Sequence, residues 1–493
     1  MKMLQRLSLV ALLYSMQFAA AMEIGKYDGG EYCYRLPGSK SRGMYPTALE
    51  LQSMLDDLEQ NGLVKSDALP FEEDNAVIPY LEKKTDDMDF VAVRNCFPIL
   101  DKLVDGKPLV YFDSASTAQM PQVVLDAIVD YYQSYKSNVG RGMYNFAERA
   151  TLAFEEVRGK VASFIGAQRR EIVFTSGATA GINLVVHVWA QHHIHAGDEI
   201  IVSEVEHNAN FIPWQQLCQR KGIILKRVPL NDQGVMDIAT LQAALSNKTK
   251  LVAITHQSNI LGTVNDIAAI VDVAHAVGAK VLVDAAQSIA HQRINVEELQ
   301  CDFLVFSGHK LFGPTGVGVL YLNKNLFDQV VLHNFGGGIV YGLTPEQSNF
   351  KSIPYCLEPG TQPIAQVIGL GAAIDFVVQN VNFDQAQQHE TELARRLARA
   401  LQAIPGVQLL TPFPGERQHN NMVTFAFDKL HAYDIAEALN DYSVAIRSGY
   451  HCAQLYHEKI GGAASVRVSF SIYNTQAEVD FLIDCLRKIL IAA

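Results

Sequence analysis

Val281-Leu282-Val283-Asp284-Ala285-Ala286-Gln287 and, further on, Phe306-Ser307-Gly308-His309-Lys310 are the two stretches whose reading decides the fold. Each is an apolar run that stops abruptly at small and charged residues. A strand buried on both faces reads as a near-continuous apolar run, as these do. In open sheets of that kind, ligands sit at the carboxyl ends of the strands. Lys310 stands directly after such a strand, where desolvation lowers its pKa and frees the amine to condense with a carbonyl group. Most lysines are solvated surface groups, so Lys310 alone is a weak signal. Asp284 ends the other run. A carboxylate there is costly unless it meets a cation or strong donors, and the protonated ring nitrogen of an aromatic cofactor is such a partner. The competing reading is a helix N-cap. Asp284 followed 26 residues later by Ser-x-His-Lys at Lys310 is far more specific than either part.

Working outward, further strand candidates fall at 171–175, 199–203, 223–228, 250–255 and 317–322, beside 280–283 and 302–306. Helical patterns at 179–195 and 267–277 separate several of them. Alternating β and α predicts an α/β fold with a mostly parallel sheet covered by helices. After residue 355 the character changes. Helices are expected at 364–378, 383–404, 432–441 and 476–491, with strands at 407–410, 422–427, 443–446 and 465–470. That pattern is a smaller α+β domain. The expected organisation is therefore a large domain over 91–355 and a small C-terminal domain over 356–493.

Four more motifs follow strand candidates or sit in the small domain. Thr175-Ser176-Gly177-Ala178-Thr179 joins a strand to a helix through small residues, and backbone N–H groups there can cradle a phosphate. It also reads as an ordinary turn. Glu206-His207-Asn208 supplies a histidine that can stack on a flat ring or be purely structural. Asn259, in His256-Gln257-Ser258-Asn259, can orient a substrate or make a turn. Arg447-Ser448-Gly449-Tyr450-His451-Cys452 places a cysteine on a glycine-containing loop beside groups that can favour a thiolate. Arg447 suits bidentate recognition of a carboxylate, with Arg467 as a second candidate.

Composition sets outer limits. With 493 residues, about half of them hydrophobic, more than one domain is the prior expectation. The formal charge of −12 argues against nucleic-acid binding. The seven cysteines, Cys33, Cys96, Cys218, Cys301, Cys356, Cys452 and Cys485, include no C-x-x-C pair, so neither a disulfide framework nor a metal site is expected. Lys2 and Arg6 precede an apolar run over 7–13 and three alanines at 19–21, which reads either as a signal-like segment or as an over-extended start before Met22. Residues 22–90 form an N-terminal extension without chemistry, with one amphipathic helix at 47–63 and an acidic stretch at 67–89. No other segment has the apolar length of a membrane span.

From about Leu109 to the C-terminus, these residues resemble the cysteine desulfurases of the class V aminotransferase group, within PLP fold type I. Ser307-Gly308-His309-Lys310 together with Arg447-x-Gly449-x-His451-Cys452 carries the likeness, and the subtype resembled is the Suf-type, or group II. The resemblance implies a seven-stranded large domain and a pyridoxal 5'-phosphate (PLP) cofactor held by Lys310. It implies Asp284 on the ring nitrogen, Gln287 on the ring hydroxyl, and His207 stacked on the ring. Thr179, Ser307 and His309 would bind the phosphate, and Asn259 would lie beside cofactor and substrate. Arg447 and Arg467 would take the substrate carboxylate, and Cys452 the sulfur of L-cysteine. Thr361, in Glu358-Pro359-Gly360-Thr361, matches a residue that reaches the phosphate of the other subunit in family homodimers. The persulfide would pass to a small sulfur-acceptor protein for iron–sulfur cluster assembly.

The chain departs from the family pattern in places. The usual His-Arg-Gly-x-His segment is Gly140-Arg141-Gly142-Met143-Tyr144 here, Asn208 stands for a second histidine, and Ala180 for an acidic residue. These changes bear on substrate preference and partner contacts. Alternatives on the same scaffold are a selenocysteine lyase, a cysteine sulfinate desulfinase, another class V PLP enzyme such as an aminotransferase, or a non-catalytic binding protein. A single reactive thiol favours a reducing, cytoplasmic location, with export or organelle targeting as the alternative if residues 1–21 are a signal.

Overall fold

The structure, a computed structural model, describes Glu23–Lys26, Tyr32–Arg35 and residues 88–140, 142–412 and 420–492. The signal-like segment 1–21, the helix expected at 47–63, nearly all of the acidic stretch 67–89, and Arg141 lie outside the described residues. Within residues 1–70, Glu23–Lys26 pairs antiparallel with Tyr32–Arg35.

From residue 71 onward, the molecule is built on a sheet of seven strands. They are β1 (Ile172–Thr175), β2 (Glu199–Ser203), β3 (Ile224–Val228), β4 (Thr249–Thr255), β5 (Lys280–Asp284), β6 (Phe303–Ser307) and β7 (Gly318–Leu322). Their spatial order is β1-β7-β6-β5-β4-β2-β3, with β7 antiparallel to both neighbours and the other pairs parallel. All seven expected strands are present, each end within one residue of its expected position.

The apolar runs are explained by two cores. Val281, Val283, Leu304 and Phe306 point into one, whereas Leu282, Phe303 and Val305 point into the other. Each fully buried aliphatic side chain contributes roughly 1.5–3 kcal/mol. Helices α1 (Gln122–Ser134), α2 (Asn145–Ile165), α3 (Ala178–Val185) and α4 (Ile364–Asn380) cover the sheet, and α4 packs on both α1 and α2. The helix expected over 179–195 runs from Ala178 to His193 and widens part-way along. A widened π turn at Val186–Ala190 and a short turn at Gln191–His193 follow α3. The widening falls where β-branched Val185, Val186 and Val188 crowd the helix.

The smaller sheet contains β8 (Val407–Leu409), β9 (Met422–Phe427), β10 (Arg447–Gly449) and β11 (Ser465–Ser469), ordered β8-β9-β11-β10 and antiparallel throughout. The strand expected at 443–446 is present as Val444–Ala445, and a separate strand follows it. Val444–Ala445 pairs parallel with Val110–Tyr111, and β10 begins at Arg447. Helices α5 (Phe383–Gln402), α6 (Ala432–Asn440) and α7 (Gln476–Ala492) accompany this sheet. Leu393, Leu397, Phe425, Val466 and Val468 share its core, whereas Val367, Leu370 and Ile374 of α4 lie in a core of the large sheet. The change of core therefore falls within α5, whose Phe383 and Ala386 still pack with the large sheet. No single helix among the described residues is long and apolar enough to cross a membrane.

Candidate active site

The carboxyl ends of β4, β5 and β6 deliver Thr255, Asp284 and Ser307 to one cavity, and the small sheet adds Arg447 and Arg467 from β10 and β11. Thr179, His207, Asn259, Gln287, His309, Lys310 and Cys452 line the same cavity. Of the residues singled out in the sequence, Thr361 alone is elsewhere: it is exposed, beyond the buried Glu358.

Lys310 closes a single 3-10 turn after β6. Burial pushes its pKa down to about 8, and Arg467 pushes the same way, while Asp284, Cys452 and Asp113 pull it up. A substantial fraction of the amine is therefore uncharged near neutral pH. Asp284 is 4% exposed and accepts a hydrogen bond from Ala286 N–H at 2.9 Å. Burial raises its pKa, against the opposing pull of that N–H and of Lys310. A buried carboxylate so placed favours a cationic partner, as a ring nitrogen that must stay protonated would provide.

Two histidines are neutral. Burial, with Lys310 and Arg467 adding to it, lowers His207 to about 4; its Nδ1 accepts from Ala209 N–H at 3.0 Å, so Nε2 carries the proton. Burial and Lys310 likewise lower His309 to about 4, and its Nδ1 lies 3.2 Å from Thr117 Oγ1. Where α3 begins, Ser307 Oγ accepts from Ala178 N–H at 2.9 Å. Gly318 on β7 lets this turn approach, because a Cβ there would stand 2.4 Å from Gly177 Cα. First-turn N–H groups, a serine and a threonine hydroxyl, and a histidine form a donor set suited to a phosphate. Lys310, Asp284 and this cup together fit PLP.

Cys452 is exposed. His451 and Cys452 both adopt left-handed backbone, at φ 50° and 55°, a conformation costing a non-glycine residue about 1–3 kcal/mol. Two contacts hold them there: Asn259 Nδ2 donates to His451 O at 2.6 Å, and Asn208 N–H donates to Cys452 O at 2.8 Å. The Asn208 contact uses backbone, so it does not depend on the side chain at that position. His451 is itself no cation, since burial drives its pKa to about 2. Positive charge near Cys452 comes instead from Lys310 and Arg467, whose pKa values Cys452 raises. Among the described cysteines, Cys218 and Cys356 are pushed up to about 11 by burial, and Cys301 and Cys485 are also raised by burial.

Arg467 is 2% exposed. Its NH1 donates to Asn259 O at 2.8 Å, and its NH2 donates to Ser116 Oγ at 2.8 Å and Asp113 Oδ1 at 3.1 Å. Its Nε has no acceptor. A buried guanidinium with a spare donor on a cavity wall suits an incoming carboxylate.

Sequence reasoning overlooked Asp113 and Ser116. Asp113 follows the apolar run Leu109-Val110-Tyr111-Phe112, the same run-then-carboxylate signal that marked Asp284. It also assigned nothing to Glu206. This carboxylate accepts from Ser203 Oγ at 2.5 Å, Asn210 Nδ2 at 2.6 Å and Thr255 N–H at 3.0 Å. Burial raises its pKa to about 7, outweighing those donors.

Comparison with known proteins agrees with this geometry. Residues 110–482 match the family model of the class-V aminotransferases. A cysteine desulfurase of Haloferax volcanii is 39% identical over 413 residues, covering 81% of this chain and 96% of that protein. The apo cysteine desulfurase of Thermococcus onnurineus superposes with a TM-score of 0.78 at 33% identity, covering 83% of this chain and 99% of that one. The cysteine desulfurase CsdA of Escherichia coli gives 0.76 at 34% identity, covering 82% and 99%.

Proposed function

Since this chain belongs to the class V aminotransferase family and is a PLP-dependent cysteine desulfurase acting on L-cysteine, we propose that its sulfur acceptor is Cys452 and that it is of the Suf-type, group II subtype. The observation that carries the reading is the meeting, in one cavity, of Lys310, Asp284 and Cys452 from three separate chain segments. An aminotransferase requires no thiol there.

When bound, the cofactor withdraws electrons from the substrate Cα and so labilises the Cβ–S bond. Lys310 would hold it, and the freed Nζ would move protons to and from the substrate. Its lowered pKa suits both tasks. Asp284 would keep the ring nitrogen protonated, Gln287 would meet the ring hydroxyl, and neutral His207 would cover the ring. Thr179, Ser307 and His309 would hold the phosphate. Arg467 and Arg447 take the substrate carboxylate, and Asn259 keeps the Cys452 loop against the cavity. Cys452 Sγ attacks the substrate sulfur. An S–S bond forms, the Cβ–S bond breaks, and the thiol proton passes through Lys310 to the departing carbon. L-cysteine and Cys452–SH thus become L-alanine and Cys452–S–SH.

The functional unit in this proposal is a homodimer. Thr361 is exposed, outside its own cavity, as a residue serving the partner's phosphate must be. Exposed apolar residues Val123, Val129, Tyr132, Phe146 and Leu152 on α1 and α2 supply a face to bury. The persulfide passes to a small sulfur-carrier protein in iron–sulfur assembly, in the cytoplasm. Light scattering, combined with persulfide detection on Cys452 by peptide mass after L-cysteine, tests the reading. A fully active monomer would refute the shared site, and persulfide on another cysteine would refute the acceptor.

A further inference from the structure

The two arginines at the cavity pose a charge problem. Arg447 on β10 and Arg467 on β11 are register partners, directly opposite each other. Like charges in that relation destabilise a strand pair. Arg467 is also buried, which makes an uncompensated charge there costly. Asp113 resolves the conflict from a third segment, the turn after Val110–Tyr111. Its Oδ1 accepts from Arg467 NH2 at 3.1 Å, and its Oδ2 lies 3.8 Å from Arg447 NH1. Ser116 Oγ donates to Asp113 Oδ1 at 2.7 Å and accepts from Arg467 NH2 at 2.8 Å. Burial pulls the Arg467 pKa down, and Asp113 is the largest effect opposing it.

We propose that Asp113 is a positioning residue, the resident counter-ion of the arginine pair, which holds Arg467 in place and tunes how tightly the site grips a carboxylate. Two guanidinium charges against one carboxylate leave one positive charge in excess. A single substrate carboxylate matches that excess. Asp113 also repels the carboxylate that the arginines attract. L-alanine carries the same group as L-cysteine, so the repulsion favours product release. The inference rests on the reading that Arg447 and Arg467 receive the substrate carboxylate.

The test uses the PLP-loaded enzyme and propionate, an unreactive monocarboxylate. Asp113→Asn keeps an oxygen for Arg467 and Ser116 but removes the charge. Propionate affinity is read from the rise in thermal midpoint it causes and from its inhibition constant against L-cysteine. At an effective dielectric near 20, loss of a unit charge this close should tighten propionate binding by about tenfold or more. KM for L-cysteine and the inhibition constant of L-alanine should both fall, with kcat reduced. Ser116→Ala keeps the charge and should leave propionate affinity near that of the parent. Arg447→Gln probes the underlying reading and should weaken propionate. If Arg447→Gln weakens propionate but Asp113→Asn fails to tighten it, Asp113 is merely structural and the proposal is overturned while the arginine reading stands. If neither variant alters propionate affinity, the arginine reading falls and the proposal with it. Asp113→Ser makes the same comparison if the asparagine variant does not fold.

Discussion

Replacing Arg158 by methionine should destabilise the folded protein by about 3–5 kcal/mol, because it strands a buried carboxylate. Arg158 lies on α2 with its side chain 1% exposed, and Glu358 is 4% exposed. The pair is bidentate: NH1 meets Oε1 at 2.7 Å and NH2 meets Oε2 at 2.9 Å. Arg158 also reaches Glu155 at 2.9 Å and Ile172 O at 2.8 Å. Burial alone would lower the guanidinium pKa, and Glu358 and Glu155 more than restore it. Once Arg158 is gone, Glu358 keeps the Phe174 N–H at 2.7 Å but no buried cation. Burial already raises the Glu358 pKa against the pull of Arg158, and without Arg158 it holds its proton more strongly still in the folded state. The loss should therefore be smallest below the unfolded pKa of about 4.3 and grow as pH rises through the raised folded value. Arg158→Met/Glu358→Gln should recover part of the loss, since no charge remains buried. The assay is urea unfolding at fixed protein concentration, at pH 5 and pH 8, with PLP content measured in parallel. Phe174 precedes the Thr175–Thr179 turn and Glu358 precedes Thr361, so cofactor retention should fall as well. A loss below about 1 kcal/mol, or a double variant no more stable than the single one, would refute the reasoning.

Three other outcomes follow from the site. Uptake of pyridoxal by cofactor-free protein, fixed onto Lys310 with borohydride, should rise with a midpoint near pH 8, well below an ordinary lysine; a midpoint above 10 would contradict the burial argument. Asp284→Asn should move that midpoint lower still, because Asp284 pulls the Lys310 pKa up; an upward movement would reverse the assigned coupling. Asn259→Ala removes the donor to His451 O and leaves a buried carbonyl unpaired, at about 1–3 kcal/mol; desulfuration should fall about five- to a hundredfold with PLP retained, and an unchanged rate would show that the loop needs no such clamp.

Most of the large domain was legible because its strands obey a physical rule. Buried on both faces, they must be apolar throughout, and they must stop where polar chemistry begins. Val281–Asp284 and Phe303–Ser307 show this directly. The small sheet was less legible. Val444–Ala445 and β10 are separated by a single residue yet pair with different partners, a distinction that no local pattern carries. Asp284 and Ser307 end strands, and Gln287, His309 and Lys310 follow within three residues, so the close of an apolar run pointed to each of them. Asp113 and Ser116 act through Arg467, a partner distant in sequence: Asp113 meets it across 354 positions. His451 corrects a local inference. Adjacent to Cys452 in sequence, it was a candidate to favour the thiolate, yet its Nε2 turns to Ser465 and burial keeps it neutral.

The central claim is that Cys452 accepts the sulfur, and the direct measurement is L-alanine formation by parent and Cys452→Ser enzyme from L-cysteine, L-selenocysteine and L-cysteine sulfinate. The serine variant should bind PLP normally, because Lys310 and Asp284 are untouched. Its L-cysteine turnover should fall by orders of magnitude, since cysteine sulfur leaves poorly without a thiolate to receive it. Selenocysteine and cysteine sulfinate should be affected less, because their leaving groups depart more readily. Equal L-cysteine turnover by the two proteins would contradict the account and place the acceptor on another thiol.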